Sequence, residues 1–353
     1  MAGTVIRIAP EQYNSHEVLD YVCSHSDSNF YHRPEWSTLI ESVYNYLPRH
    51  FIARQNEQIV GLLPLFEIQT ILGGHRFVCL PFSHLAGPLA NTEQISADMI
   101  EHAIKFAFSE GAGHMLIKDR GASAHAAINQ QYPFLTSMLD LDVESGVLWR
   151  NIKDTTRRNI RKAERSGVSV TDTVNSCDFS TYNNLMYDTR KRQGVPGYPR
   201  FYFDRLWEYL HCTDAIRLYI AWLGEKPVAG IILSFHNGKA TYLYGASLNA
   251  PRILRTRPND LLFWHAILDA RERGCYQLDF GLTHISNEGL LRFKEGWGSR
   301  SEPVIYQHIS RGKHNRMRDN RDSIGMKMAS WFIRRIPMRV YKSISPILIR
   351  QFG

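Results

Sequence analysis

Ala240-Thr241-Tyr242-Leu243-Tyr244-Gly245-Ala246 is followed by an arginine- and proline-rich loop, Arg252 to Pro258, and by a helix-like stretch, Asn259 to Arg273, closed by Gly274. Tyr276-Gln277-Leu278-Asp279-Phe280-Gly281 and Leu290-Leu291-Arg292-Phe293-Lys294-Glu295-Gly296-Trp297-Gly298 complete the run. The first piece alternates and reads as a strand, which places Tyr242 and Tyr244 on one side of it. Asn259 to Arg273 reads as a helix with glycine at its usual stopping place. Tyr276 to Phe280 reads as a second strand. Pro258 falls at or just before the first helical turn, where a missing N–H costs nothing. The next N–H groups are unpaired and carry the positive end of the helix dipole, with Arg252, Arg255 and Arg257 immediately upstream. Cations delivered to a helix N-terminus suit a phosphate or carboxylate. An ordinary strand-loop-helix with a solvated basic loop explains the same residues.

Working outward, the first half of the chain repeats this plan. Ile52-Ala53-Arg54-Gln55-Asn56-Glu57-Gln58-Ile59-Val60-Gly61 resembles Ile220-Ala221-Trp222-Leu223-Gly224-Glu225-Lys226-Pro227-Val228-Ala229-Gly230. Both read as hairpins with a charged turn, each followed by a strand, a loop, a helix ending in glycine and another strand. The helices are Glu93 to Glu110, capped by Thr92, and Asn259 to Arg273. An internal duplication of one α/β unit is the expectation, and the first copy lacks the arginine-rich loop. Before it, residues 4–8 read as a strand, Pro10 and Glu11 as the opening of a helix reaching Ser24, and Gln58 to Ile68 as one long strand. After Met115 to Lys118, helix or loop is expected through Pro133.

A chain of 353 residues accommodates two domains of common size. Its hydrophobic fraction of 44% and charged fraction of 22% are those of a globular protein. A net charge of +8 favours anionic partners, whether nucleic acid, phosphorylated substrate or membrane surface, without choosing among them. Five scattered cysteines (Cys23, Cys79, Cys177, Cys212 and Cys275) match neither a disulfide framework nor a zinc site. With no leader-like N-terminus and no apolar run near ~20 residues, the expected compartment is a reducing cytoplasm.

Three basic stretches stand out. Trp149 to Val168 reads as a helix with Arg157, Arg161 and Arg165 four apart, beside Arg158 and Lys162. Like charges at that spacing repel by a few tenths of a kcal/mol per pair, which a phosphate would relieve; a solvated basic face is the plainer reading. Thr189-Arg190-Lys191-Arg192 leads through Gly194-Val195-Pro196-Gly197 to Tyr198-Pro199-Arg200-Phe201-Tyr202. From Asp322 onward no acid follows, while Lys327, Arg334, Arg335, Arg339, Lys342 and Arg350 alternate with aliphatic and aromatic residues. That composition suits an anionic membrane interface, peripheral on the inner membrane; the competing reading is an arm packed on the domain.

Several chemistries are unsupported. There is no Gly-x-Ser-x-Gly elbow, no His-Glu-x-x-His and no phosphate-binding Gly-x-x-x-x-Gly-Lys-Ser/Thr loop, and no metal site is expected. Acyl transfer to an amine needs only a deprotonated nitrogen, a positioned carbonyl and donors for the oxyanion.

The tyrosine strand, Arg255-Thr256-Arg257-Pro258-Asn259-Asp260-Leu261-Leu262, the Asp279-Phe280-Gly281 strand end and Arg292-Phe293-Lys294 with Trp297-Gly298 resemble the C-terminal half of FemAB-type acyltransferases, double-domain members of the GNAT superfamily. The resemblance runs from about residue 30 to the end. It implies an α/β (α+β) fold of two tandem GNAT-like domains, each a mixed, mainly antiparallel sheet flanked by helices: residues 1–147, residues 148–312 as the transferase core, and a basic amphipathic tail, 313–353. It implies N-acyl or N-aminoacyl transfer to an amino group of a phosphorylated or lipid-linked envelope precursor or an amino sugar. Lys294 matches the lysine of the family's Phe-Lys motif, expected to neutralise phosphate or developing charge. Tyr242 or Tyr244 would donate to the carbonyl oxygen and Asp279 accept a proton, unless it only caps a turn. Arg190, Arg192, Tyr198 and Tyr202 would recognise the acceptor, and Arg255, Arg257, Asn259 and Asp260 the donor. The donor is expected to be acyl-CoA, or aminoacyl-tRNA instead: the usual Gly-x-Gly turn for CoA is missing, and so is the long helical hairpin many tRNA-using relatives carry. Two other classes remain, a non-catalytic membrane-associated double-GNAT protein and an RNA binder using Arg157 to Arg165.

Overall fold

The computed structural model of the chain describes residues 6–71, 73–119, 129–173, 176–211, 213–311 and 324–352. Its first elements are β1 (Ile6–Pro10), α1 (His16–Ser24), α2 (Pro34–Tyr44), β2 (Leu47–Pro48), β3 (Phe51–Gln55), β4 (Gln58–Leu63), β5 (Leu65–Gln69), β6 (His75–Cys79), β7 (Leu89–Ala90), α3 (Glu93–Ser109), β8 (His114–Asp119) and β9 (Asn129–Asp140). There follow α4 (Ser145–Asn151), α5 (Asp154–Arg165), β10 (Val168–Thr173), α6 (Ser176–Gln193), α7 (Tyr202–Leu210), β11 (Ile216–Leu223), β12 (Lys226–His236), β13 (Lys239–Ser247), α8 (Pro251–Arg255), α9 (Pro258–Glu272), β14 (Gln277–His284), α10 (Glu288–Glu295), β15 (Arg300–Ser310), α11 (Ile324–Arg335) and α12 (Met338–Ile349).

Some local expectations shift. Pro10 does not open a helix: it ends β1, paired with Phe51, and Ser15 caps α1 by accepting from the Val18 N–H. The long strand expected from Gln58 to Ile68 is two strands. β4 pairs with β3 and β7, whereas β5 pairs with β6 and β2; Pro64 lies between them and has no N–H to carry a ladder through. Residues 129–140 form β9, where helix or loop was expected through Pro133. The expectations for residues 4–5, 120–128, Cys212 and the start of the tail at 313–323 lie outside the described residues.

Packing divides the chain into two compact units, residues 1–134 with 303–319 and 350–353, and residues 135–302 with 320–349. Each is thus assembled from non-adjacent segments, unlike a linear cut at 147 and 312. The first unit holds a β1-β3-β4-β7 sheet and the strand order β15-β8-β6-β5-β2, in which β6 and β8 run parallel. Trp36, Leu39, Tyr44, Phe66, Phe77 and Met99 fill its core.

The second unit has the strand order β10-β11-β12-β13-β14-β9, antiparallel from β10 to β13 and parallel between β13 and β14. Ile231 and Leu233 of β12 share a core with Leu262, Phe263, Ala266 and Ile267 of α9. Gly230, next to Ile231 and so on the opposite face, meets Tyr182 of α6. The sheet is therefore covered by α9 on one face and α6 on the other.

The duplicated plan is visible element by element. In the β3–β4 hairpin, Ala53 pairs with Gly61 and Arg54 with Ile59, leaving Val60 as an extra residue. In β11–β12, Ala221 pairs with Ala229 and Trp222 with Pro227, leaving Val228 extra. The two helices also stop alike. Ala112 N–H reaches back to Ala107 O after α3, and Cys275 N–H to Ala270 O after α9. Gly111 (φ 88°) and Gly274 (φ 78°) supply the left-handed residue each closure needs.

The tail is a packed arm on one of its faces. Ile333, Ile336 and Tyr341 bury against Tyr187 of α6. Tyr341 Oη donates to Val195 O at 2.9 Å and Lys191 Nζ to Arg334 O at 2.8 Å. This explains Gly194: at φ 76°, a Cβ there would lie 2.0 Å from Ser330 Oγ of α11.

Gly230→Ala tests the two-faced packing. Its Cβ would fall 2.8 Å from Tyr182 Cδ2 and 3.3 Å from Tyr219 O. The substitution is expected to destabilise the protein by about 1–3 kcal/mol, the usual cost of overpacking, in urea unfolding.

Candidate active site

β13 and β14 pair in parallel over three positions: Lys239 with Gln277, Ala240 with Leu278, and Thr241 with Asp279. Both strands continue, to Ser247 and His284, without pairing with each other. β13 meanwhile stays on β12 to its end, where Ser247 pairs with Ala229. Along that ladder Tyr242 pairs with Leu233 and Tyr244 with Ile232, so Leu243 is an inserted residue. Such a bulge bends the strand and adds twist. β13 follows β12 away from β14, and a fork opens just beyond Thr241 and Asp279.

The bulge also reverses one expectation. Tyr242 and Tyr244 do not share a side. Tyr242 packs on Phe263 of α9, ring centroids 5.1 Å apart. Tyr244 lies on the α6 and α7 side, its hydroxyl 2.5 Å from that of Tyr202. Alternation of period two holds only while no residue is inserted.

Tyr242 bends along the fork so that its hydroxyl lies over Gly245, where a Cβ would clash at 1.8 Å. Burial of that hydroxyl raises its pKa, so it stays protonated and able to donate across the physiological range. On the facing strand, Gly281 takes φ 70°, which L side chains rarely adopt. Its carbonyl accepts from Lys294 Nζ of α10 at 2.5 Å. Lys294 is 2% exposed. Desolvation lowers its pKa to about 8, while the neighbouring Asp279 charge pulls the other way.

Lys118 in the first unit makes a useful contrast. It is also buried and also lowered to about 8, but it donates to both Leu80 O and Ser83 O. Lys294 has one such carbonyl among the described residues, and an ammonium has three N–H groups to place.

Asp279 marks the crotch of the fork. Its Oδ1 accepts from Thr136 Oγ1 of β9 at 2.5 Å and from the Gly281 N–H at 2.8 Å. It therefore holds the Gly281 turn that presents the carbonyl to Lys294. Two residues on from Gly281, the buried Thr283 Oγ1 has no hydrogen-bond partner among the described residues.

The four residues expected at the acceptor end divide. Arg190, Tyr198 and Tyr202 come together with Tyr244: Arg190 lies over the Tyr198 ring at 4.3 Å, and Tyr198 stacks on Tyr202 at 4.7 Å. Tyr202 is fully buried, so its hydroxyl serves Tyr244 and not a ligand. Arg190 Nε is also committed, to Pro196 O at 2.6 Å. Arg192 is apart from the cluster and donates to Ser247 O at 3.1 Å, fastening α6 to the end of β13.

The donor-end residues divide too. Arg255 and Arg257 are exposed and Asn259 half-buried. Arg257 caps α9 in the left-handed region with no side-chain cap bond. Part of the loop expected upstream is the short helix α8. Asp260 points inward: it is buried, accepts from Asn159 Nδ2 of α5 at 3.2 Å, and has its pKa raised by desolvation. It ties α5 to α9 through that bond. That bond brings the basic helix α5 alongside the start of α9, with Arg158, Arg161, Lys162 and Arg165 exposed. Arg157 is spent locally on Trp149 O, Arg150 O and Asp154.

Sequence reading missed Gly245, Thr136 and Asn159. Only Gly245 carried a signal, an isolated glycine inside a strand, which marks a bulge or close approach. Among the described residues, no group of three or more metal-ligating side chains is present.

A family model described as acetyltransferase (GNAT) domain matches residues 150–295, a span that ends with α10 and contains the whole fork. The lipid II:glycine glycyltransferase of Staphylococcus saprophyticus is 23% identical over 234 residues, covering 47% of this chain and 56% of the relative. The chain thus spans about half the length of that curated relative. The crystal structure of FemX matches with TM-score 0.67 at 16% identity, over 85% of this chain and 96% of that one. The structure of L-PGS from Bacillus licheniformis gives 0.57 at 16% identity, over 94% and 100%. A tandem GNAT protein from the clavulanic acid biosynthesis pathway gives 0.55 at 13% identity, over 88% and 100%. At such identities these structures establish the fold. The domain match makes residues 150–295 a GNAT acetyltransferase-type domain. The domain match, the glycyltransferase relative and the FemX likeness together support a FemAB-like family for the chain.

The Lys294 environment makes a pH prediction. The folded pKa near 8 lies below the ordinary 10.5, so below pH 8 both states are protonated and the burial penalty is complete. As pH rises from 8 to 10.5 the unfolded state holds more protons than the folded one, and the penalty disappears. Wild type should therefore gain up to about 3 kcal/mol relative to Lys294→Met over that interval, read as the difference between paired urea titrations.

Proposed function

We propose that this chain transfers an acyl or aminoacyl group to the amino group of a cell-envelope precursor, a phosphorylated or lipid-linked molecule such as lipid II, or an amino sugar. The observation that carries the reading is the fork, with the Tyr242 hydroxyl over Gly245 on one arm and Lys294 at Gly281 on the other. An extended donor lying between the arms can pair with strand edges no longer paired with each other, as peptides do at open sheet edges.

In this reading the acceptor nitrogen attacks the donor carbonyl. The C–N bond forms, and the C–S bond of a thioester or the C–O bond of an aminoacyl ester breaks. The nitrogen's proton leaves with the thiol or hydroxyl. Tyr242, held neutral, donates to the developing oxyanion. Lys294 supplies positive charge in an apolar enclosure, where charge acts more strongly than in water. The donor's phosphates face Arg255 and Arg257 at α9, beside the exposed cations of α5. CoA and tRNA are both anionic enough to use that surface. Arg190 and Tyr198 supply the cation and the aromatic edge nearest the acceptor.

The test uses the purified full chain with acetyl-CoA and aminoacyl-tRNA as donors and an amine-bearing, lipid-linked precursor as acceptor. Loss of one oxyanion donor or its supporting charge costs about 10²–10³ in rate, so Lys294→Met should lose transfer by that factor and keep a cooperative unfolding transition. Transfer unchanged in Lys294→Met removes the enzymatic role assigned to the fork. No transfer with any donor, together with donor-independent thermal stability, favours a non-catalytic protein. RNA affinity that falls steeply with salt, without transfer, favours the RNA-binding reading.

A further inference from the structure

We propose that α11 and α12 together form a membrane-docking surface that seats the protein on anionic lipid. These helices are apolar on two sides. The inner side, Ile333, Ile336, Tyr341 and Ile349, is buried in the protein. The outer side is not. Met328, Trp331 and Phe332, at helical spacing on α11, are 66%, 56% and 51% exposed. Val340 and Ile347 on α12, seven apart and so on one helical face, are 45% and 56% exposed. A helix apolar on both faces is normally enclosed by something on each.

Charge selects the occupant. Lys327, Arg335 and Arg339 are exposed along the same two helices, and residues 323–353 contain no Asp or Glu. The Arg335 guanidinium sits 4.1 Å from the Trp331 ring, joining a cation to an aromatic as the headgroup level of a bilayer favours. A protein partner would need matching acids, whereas an anionic lipid surface presents phosphates at every point. The geometry is interfacial: each helix has 12 residues, about 18 Å of rise against a hydrocarbon core of about 30 Å. Among the described residues no helix is long and apolar enough to cross a membrane. Because the inner stripe fixes both helices to α6, the outer stripe is presented without a folding step.

This surface lies outside the fork and stands independently of the transfer reading. The test is co-sedimentation of the full chain with vesicles of phosphatidylglycerol and phosphatidylethanolamine, and with vesicles of phosphatidylcholine alone. Binding is expected to the anionic vesicles only and to weaken with salt. Trp331→Ser with Phe332→Ser should weaken it about tenfold or more, and so should the charge reversals Arg335→Glu with Arg339→Glu. Tryptophan emission of the wild type should shift to the blue with anionic vesicles, and Trp331→Phe should remove most of that shift while preserving the fold. No binding, or equal binding to both vesicle types, overturns the proposal. So does a lipid-free dimer in sedimentation velocity that the Trp331/Phe332 variant dissociates, since that would make the face a contact between copies. Transfer to a water-soluble acceptor should be unaffected by these substitutions.

Discussion

Leu243 is one residue too many for the strand that contains it, and the candidate site depends on that excess. β13 has two neighbours that cannot both be followed. Its antiparallel partner β12 holds it to Ser247, while its parallel partner β14 holds it only to Thr241. The inserted residue lets β13 keep the first ladder and abandon the second. The same insertion puts Tyr242 and Gly245 on a common side, and the absent Cβ at Gly245 leaves room for the tyrosine hydroxyl. Backbone geometry thus opens a gap between two strand edges before any side-chain chemistry is considered.

The opposite arm is built with polar groups that are costly to bury. Asp279, Thr136 and the Gly281 N–H form one hydrogen-bonded knot. Its effect is to fix Gly281 in a left-handed conformation with its carbonyl toward Lys294. Asp279 thus caps the Gly281 turn, one of the two roles considered for it. Among the described residues a lysine so enclosed has one carbonyl where Lys118 has two. Perturbed, incompletely satisfied groups are characteristic of functional sites.

The basic surfaces separate under the same scrutiny. Arg157 is consumed by backbone carbonyls and Asp154, the ordinary fate of a charge run. Arg158, Lys162 and Arg165 remain exposed beside the start of α9, where Arg255 and Arg257 add to them. The tail divides by face. Its inner stripe made the packed-arm reading correct for half of each helix, and its outer stripe leaves the interfacial reading for the other half.

What the sequence by itself determined was whatever local chemistry controls: Thr92 at the start of α3, Gly111 and Gly274 at helix ends, Pro258 at the first turn of α9, and the two related hairpins. These rest on backbone rules spanning a few residues, and the matching bulges after Ala53 and Ala221 show how closely the repeat is kept. The candidates Lys294, Tyr242 and Asp279 were legible as residue types, and they lie on or against the two arms of the fork. Their arrangement was not. Which side Tyr244 takes depends on pairing with Ile232 in another strand. The burial of Asp260 depends on Asn159, more than one hundred residues earlier. The strand at β9 and the inward face of the tail were likewise settled by partners distant in sequence, whereas Pro64 marks the division of β4 from β5 locally. Strand register and burial are properties of pairs of segments, so only the tertiary structure could decide them.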